Sequence, residues 1–93
     1  VSTLMPYEGL DEALALANGT RFGLVAGVFT RNFALAHRLA RDIDAGQVYI
    51  NEYFAGGISV PFGGNKSSGF GRETALEALR SYCKLKSVAA RIG

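Results

Sequence analysis

The sequence predicts an α/β fold: a βαβαβ parallel-type sheet, then a long glycine-rich loop, a helix and a C-terminal strand. Three observations predict it. Strand-like and helical periodicities alternate through the first half, the run Leu24–Thr30 (LVAGVFT) is almost wholly apolar, and regular patterning stops after Asn51. Such an apolar run fits a strand buried on both faces, as a parallel sheet requires. Alternating strands and helices then predict right-handed crossovers.

In chain order, Val1–Tyr7 (VSTLMPY) reads as a strand ended by Pro6. The next segment places Leu10, Ala13, Leu14 and Ala17 at helical spacing, with Asp11 and Glu12 in the first turn where the helix dipole favours carboxylates. Gly19 is positioned to stop that helix in a left-handed conformation. After the apolar strand, Thr30 is the expected cap of a helix whose stripe is Phe33, Leu35, Ala36, Leu39, Ala40 and Ile43. Gly46 ends it, and Gln47–Asn51 (QVYIN) makes a third strand.

Residues 52–72 carry no helical or strand period, and a structureless stretch of that length in a compact domain is usually functional. Glu73–Cys83 restores helical spacing through Ala75, Leu76, Ala78, Leu79 and Tyr82. Val88, Ala90 and Ile92 then alternate with Ser87, Ala89 and Arg91, which predicts a final strand.

The bulk composition narrows the function. Ninety-three residues, 48% hydrophobic and 19% charged, describe one globular domain rather than a disordered chain. The net charge of +2 is dispersed, which argues against nucleic acid as a partner. No apolar run approaches the roughly 20 residues of a membrane span, and the first residues lack a signal-peptide pattern. One cysteine and one histidine exclude an internal disulfide and leave a metal site nothing to build on. A reducing, cytoplasmic setting is the expectation, and a start at Val1 rather than methionine suggests a piece of something longer.

The stretch Pro61–Glu73 (PFGGNKSSGFGRE) is the strongest local signal. It fails the G-x-x-x-x-G-K-[ST] phosphate loop, because Asn65 precedes Lys66. It also misses the third glycine of a dinucleotide fingerprint, since Thr74 stands where that glycine would be. Phe62 and Phe70 are anchors, so the glycines mark a backbone that approaches something closely or takes positive φ. Lys66 and Arg72 read as structural. Cys83 falls on the apolar face of its helix and reads as core; His37 reads as a partly exposed structural histidine. Glu52 follows the third strand, at the end where open α/β sheets bind ligands, but a lone carboxylate there is normally just solvated. Glu73 and Glu77 form an i, i+4 pair on the polar face of the last helix and carry no chemistry. These residues supply the wall of a site and no engine.

The same residues resemble the P-F-G-G-x-K-x-S-G-x-G-R-E signature of the aldehyde dehydrogenase superfamily. Glu12–Thr30 is similar to that family's E-x-A-x-x-x-A-N-x-x-x-Y-G-L-x-A-x-V-F-T segment, Ala45–Asn51 to its A-G-x-V-x-I-N strand, and Leu85–Val88 to its closing K-x-V strand. The resemblance implies NAD or NADP as cofactor and a small-molecule aldehyde as substrate. It also implies a cysteine thiolate that attacks the aldehyde, hydride transfer to NAD(P)+, and a glutamate that activates water to release the carboxylate. The motifs of that cysteine and glutamate have no counterpart here, so no catalytic residue is assigned and Cys83 is not the nucleophile.

By the same resemblance, residues 1–83 form the C-terminal part of the catalytic domain and 84–93 an oligomerisation strand. Leu24 approaches the cofactor, and Phe62 stands beside the nicotinamide and the substrate tunnel. Phe54 and Ile58 help to choose the aldehyde at the tunnel mouth. Val88, Ala90 and Ile92 pair with a neighbouring subunit, giving a homo-oligomer, dimer or tetramer. Two other classes stay open: a non-enzymatic assembly module and an independent nucleotide binder.

Overall fold

A computed structural model describes all residues, Val1–Gly93. Its centre is one parallel βαβ unit. β2 (Val25–Val28) and β3 (Gln47–Ile50) pair in parallel, in the register Val25↔Gln47 to Val28↔Ile50, and α2 (Phe33–Asp42) crosses between them. Val28 and Ala36, its only buried apolar residues, are where strand meets helix.

α1 (Leu10–Asn18) begins at Gly9, whose φ of 81° favours glycine, and the Glu8 N–H donates to Glu12 Oε2 at 2.7 Å. Gly19 ends this helix at φ −75°, so the expected left-handed residue is corrected. A different donor serves the helix end: Lys66 Nζ lies 3.1 Å from the carbonyl of Asn18 and 3.2 Å from that of Thr20. An ammonium at that end also suits the helix dipole.

The expected strand Leu24–Thr30 is shorter and divided. β1 (Phe22–Gly23) pairs antiparallel with β4 (Asn65–Lys66), while β2 pairs with β3, so Leu24 stands between two sheets. The cap of α2 is Asn32, not Thr30: its Oδ1 accepts from the Leu35 N–H at 3.1 Å, and Thr30 Oγ1 accepts from the Asn32 N–H. Beyond β2, Thr30 is held by Asn51. The Asn51 side chain accepts from the Thr30 N–H at 2.8 Å and donates to its carbonyl at 2.9 Å.

Charged groups tie α1 to α2. Arg38 of α2 bridges to Asp11 of α1 at 2.9 Å, and within α2 Arg41 pairs with its neighbour Asp42 at 2.6 Å, both largely at the surface. The Arg41 hydrogen bond holds the Asp42 carboxyl below its ordinary range. That contribution is present above the ordinary carboxylate pKa and is lost as pH falls through the lowered one.

Two predicted strands do not form. Val1–Tyr7 and Val88–Ile92 are exposed throughout and have no regular structure. A strand persists only where another chain segment takes up its N–H and C=O groups, and none lies beside either segment here. The βαβαβ arrangement therefore reduces to βαβ plus a small antiparallel pair. The radius of gyration, 18.4 Å, exceeds the about 12 Å of a compact chain of this length.

The region 52–72 is less bare than its sequence suggests. It contains a 3₁₀ turn at Gly57–Ser59 and strand β4, and it closes through a bridge between Phe62 and Glu73. α3 (Ala75–Ser81) follows, shorter than predicted, with Leu76, Leu79 and Tyr82 exposed. Cys83 is exposed as well, which corrects its reading as core. α3 lies against the 3₁₀ turn, and its apolar residues Leu76 and Leu79 stay exposed. His37 is exposed and packs edge-on against Phe33, with ring centroids 4.4 Å apart.

Candidate functional site

The glycine-rich return from Pro61 to Glu73 is a closed loop. Phe62 and Glu73 exchange backbone hydrogen bonds at 2.8 and 2.6 Å. Arg72 fastens the inside: Nη1 donates to the carbonyls of Gly64 and Gly71, and Nη2 to Asn65 Oδ1 at 2.8 Å. Asn65 passes the chain of bonds to Asp44 Oδ1 at 3.0 Å, beside the start of β3. Arg72 and Lys66 thus spend their donors mainly on carbonyl oxygens, which leaves them poor anion binders and good braces.

The loop presents Phe62 half-buried between two cavities. One, of about 360 Å³, is lined by Leu24, Phe62, the backbone of Gly63 and Gly64, Ser68 and Arg72, among others. The second, of about 260 Å³, is lined by Gln47, Tyr49, Phe54, Val60, Phe62 and Glu73, among others. Aromatic rings dominate the second. Phe54 stacks on Phe62 at 6.2 Å and 25°, lies 6.1 Å from Tyr49, and meets Tyr53 edge-on at 4.9 Å.

The structure therefore brings Leu24 and Phe62 together on one side, and Phe54 and Phe62 on the other. Ile58 lines neither cavity; it projects from the 3₁₀ turn, 85% exposed. Val88, Ala90 and Ile92 lie apart from both cavities, in the exposed terminal segment. Glu52 is exposed at the end of β3 and borders neither. No three His, Cys, Asp or Glu side chains converge as a metal set. No helix is long and apolar enough to cross a membrane.

Sequence reasoning missed Tyr49, Tyr53 and Gln47. The signal was present: Gln47 and Tyr49 alternate onto one face of β3, and the aromatic pair Tyr53-Phe54 follows within one turn of chain. Nothing in the sequence, however, says that Pro61 returns across that face.

Known proteins resemble this chain in sequence and in fold. The family model described as "Aldehyde dehydrogenase family" matches residues 1–88. The whole chain is 47% identical to 18% of 4-trimethylaminobutyraldehyde dehydrogenase A of Danio rerio. It is 45% identical, again over its whole length, to 19% of a betaine aldehyde dehydrogenase of Agrobacterium fabrum. Among solved structures, an NAD+ complex of an aldehyde dehydrogenase from Bacillus cereus superposes over 96% of this chain and 18% of its own, with a TM-score of 0.89 and 40% identity. The chain spans about a fifth of the length of these relatives, and over that span it belongs to the aldehyde dehydrogenase family.

Proposed function

We propose that this chain is the C-terminal part of an NAD(P)-dependent aldehyde dehydrogenase, and that it builds the wall between cofactor and aldehyde. The observation that carries the reading is Phe62, which borders the Leu24 cavity on one side and the aromatic cavity on the other. A flat, partly apolar surface of Leu24, Phe62 and glycine backbone fits a nicotinamide ring. NAD(P)+ would supply the hydride acceptor there, with Leu24 and Phe62 holding the ring. The chain's own work is to orient and enclose: Phe54, Tyr49 and Phe62 exclude water from the aldehyde side, while Ile58, outside the cavity, would meet an aldehyde only at the tunnel mouth.

The names of the relatives and the aromatic rings together support a substrate class. Relatives named for trimethylaminobutyraldehyde and betaine aldehyde take aldehydes that carry a quaternary ammonium. The rings of Tyr49, Phe54 and Phe62 on this cavity, with Tyr53 edge-on behind Phe54 and Glu73 among the lining residues, suit such a cation. Each favourable ring–cation contact is worth roughly 0.5–2 kcal/mol. Burial supports the reading as part of a larger body. Only four of 93 residues are buried, which leaves Leu76, Leu79, Val88 and Ile92 as surface that needs a neighbour.

The experiment is steady-state NADH production by the full-length enzyme and by the 93-residue chain alone. Full-length enzyme should oxidise betaine aldehyde or 4-trimethylaminobutyraldehyde in preference to an uncharged aldehyde of equal length. The 93-residue chain should oxidise neither, and NADH from that chain would remove the reading of it as wall only. A preference for the uncharged aldehyde would remove the ammonium site.

The segment 84–93 is proposed to pair with a sheet of a neighbouring subunit, in a homo-oligomer. Its support is an exposed, alternating Val88, Ala90 and Ile92 with no partner inside the chain. Deleting residues 87–93 from the full-length enzyme should lower its mass in light scattering to that of a smaller assembly. An unchanged mass would refute the pairing.

A further inference from the structure

Gln47 hydrogen-bonds to both walls of the aromatic cavity. It stands on β3 two residues before Tyr49, so the two side chains share a face of the strand. Its Nε2 donates to the carbonyl of Pro61 at 2.7 Å, and its Oε1 accepts from the Tyr49 hydroxyl. Pro61 has no N–H, so that carbonyl is its sole backbone polar group, and it is half-buried. Phe62, the next residue, is pinned on its other side by Glu73.

We propose that Gln47 is a positioning residue for the aldehyde cavity, holding the Tyr49 ring and the Pro61–Phe62 backbone at a fixed separation through one primary amide. The inference rests on the reading of that cavity as the aldehyde side. An amide is suited to the task because it offers a donor and an acceptor on one planar group. Leucine has the volume and neither function. Glutamate keeps the acceptor and turns a carboxylate toward the Pro61 carbonyl. The backbone of Gln47 is already committed, its N–H donating to Leu24 O at 3.1 Å, so β3 itself stays in place when the side chain changes. What changes is the gap between Tyr49 and Phe62, across a cavity of only about 260 Å³. A ring displaced by a fraction of an ångström there loosens the ground-state grip on the aldehyde. The Leu24 side, bordered by the opposite edge of Phe62, is untouched.

The test uses full-length enzyme with Gln47→Leu, Tyr49→Phe and the double variant. Gln47→Leu should raise the aldehyde KM about fivefold to tenfold, with kcat and the NAD+ KM within about twofold of wild type. Tyr49→Phe should raise it roughly threefold, and the double variant should be no worse than Gln47→Leu, because the tyrosine bond runs through the same amide. Hydrogen exchange gives a readout independent of turnover: the peptide containing Pro61 and Phe62 should exchange faster in Gln47→Leu and unchanged in Tyr49→Phe. An unchanged aldehyde KM in an active Gln47→Leu enzyme overturns the positioning role alone. So does unchanged exchange at Pro61–Phe62, or a KM rise shared equally by NAD+ with a fall in melting temperature. Additive effects in the double variant overturn the shared amide. Wild-type enzyme inert toward every aldehyde overturns the proposed function, and the role of Gln47 toward an aldehyde falls with it.

Discussion

Gly46→Ala is expected to destabilise the protein by about 3 kcal/mol or more, at or above the top of the usual range for overpacking. A Cβ built at Gly46 would stand 1.6 Å from the carbonyl oxygen of Gly63 and 2.7 Å from its carbon. These are backbone atoms, so no rotamer change relieves the clash. Gly63 cannot retreat easily either, because a Cβ of its own would already lie 2.4 Å from Gly71 O, and Arg72 holds the neighbouring carbonyls. The loop must open, and Phe62 moves with it. Gly27→Ala is the matched control: its Cβ would meet only the side chains of Phe29 at 3.4 Å and Tyr53 at 3.9 Å. Chemical denaturation of both variants in the full-length enzyme decides the matter. Stability of Gly46→Ala within about 0.5 kcal/mol of wild type, the range of an ordinary surface change, would show that the loop does not lie against β3 as described.

Gly46 also marks the limit of what the sequence says. Periodicity locates a glycine between α2 and β3, and ending the helix is the natural reading. The helix in fact ends four residues earlier, at Asp42, and the glycine answers to a loop some 17 residues further on. Local chemistry was legible where it is self-contained. The apolar run at Val25–Val28, the alternation into Gln47–Ile50 and the stripe of α2 are properties of short segments, and they form. Thr30 and Asn32 are both good caps; Asn32 takes the role, and the Thr30 backbone is instead held by Asn51, a residue distant in sequence. Val1–Tyr7 and Val88–Ile92 have strand sequences without strand partners, and pairing is a property of two segments. The site divides in the same way. Phe62, Phe54 and Leu24 came from the family resemblance, Phe62 through the Pro61–Glu73 motif, Leu24 through the Glu12–Thr30 segment and Phe54 through its place in the segment before Pro61. Tyr49 and Gln47 matter only because Pro61 crosses β3, which no window of sequence contains.

Phe62→Ala should lower kcat/KM about 30-fold, or about 2 kcal/mol of transition-state stabilisation, while barely moving the melting temperature. The two effects separate because the backbone and the ring of Phe62 do different things. The backbone is fixed by its exchange with Glu73 at 2.8 and 2.6 Å, bonds that alanine keeps. Within this chain the ring is half-buried, so its contacts to these residues are worth less than the about 3–5 kcal/mol of a fully buried phenylalanine. The ring nevertheless separates the two cavities, and its face stacks on Phe54 at 6.2 Å. On the proposed reading, losing it joins the two cavities, admits water between cofactor and aldehyde, and leaves neither held against the ring. KM should therefore rise for both substrates, unlike the one-sided rise expected for Gln47→Leu. Phe62→Tyr keeps the wall and should retain most activity; Phe62→Leu should fall between. Wild-type kcat/KM in Phe62→Ala would remove the residue from the site, and a loss of activity matched by a collapse in melting temperature would reassign it to the core.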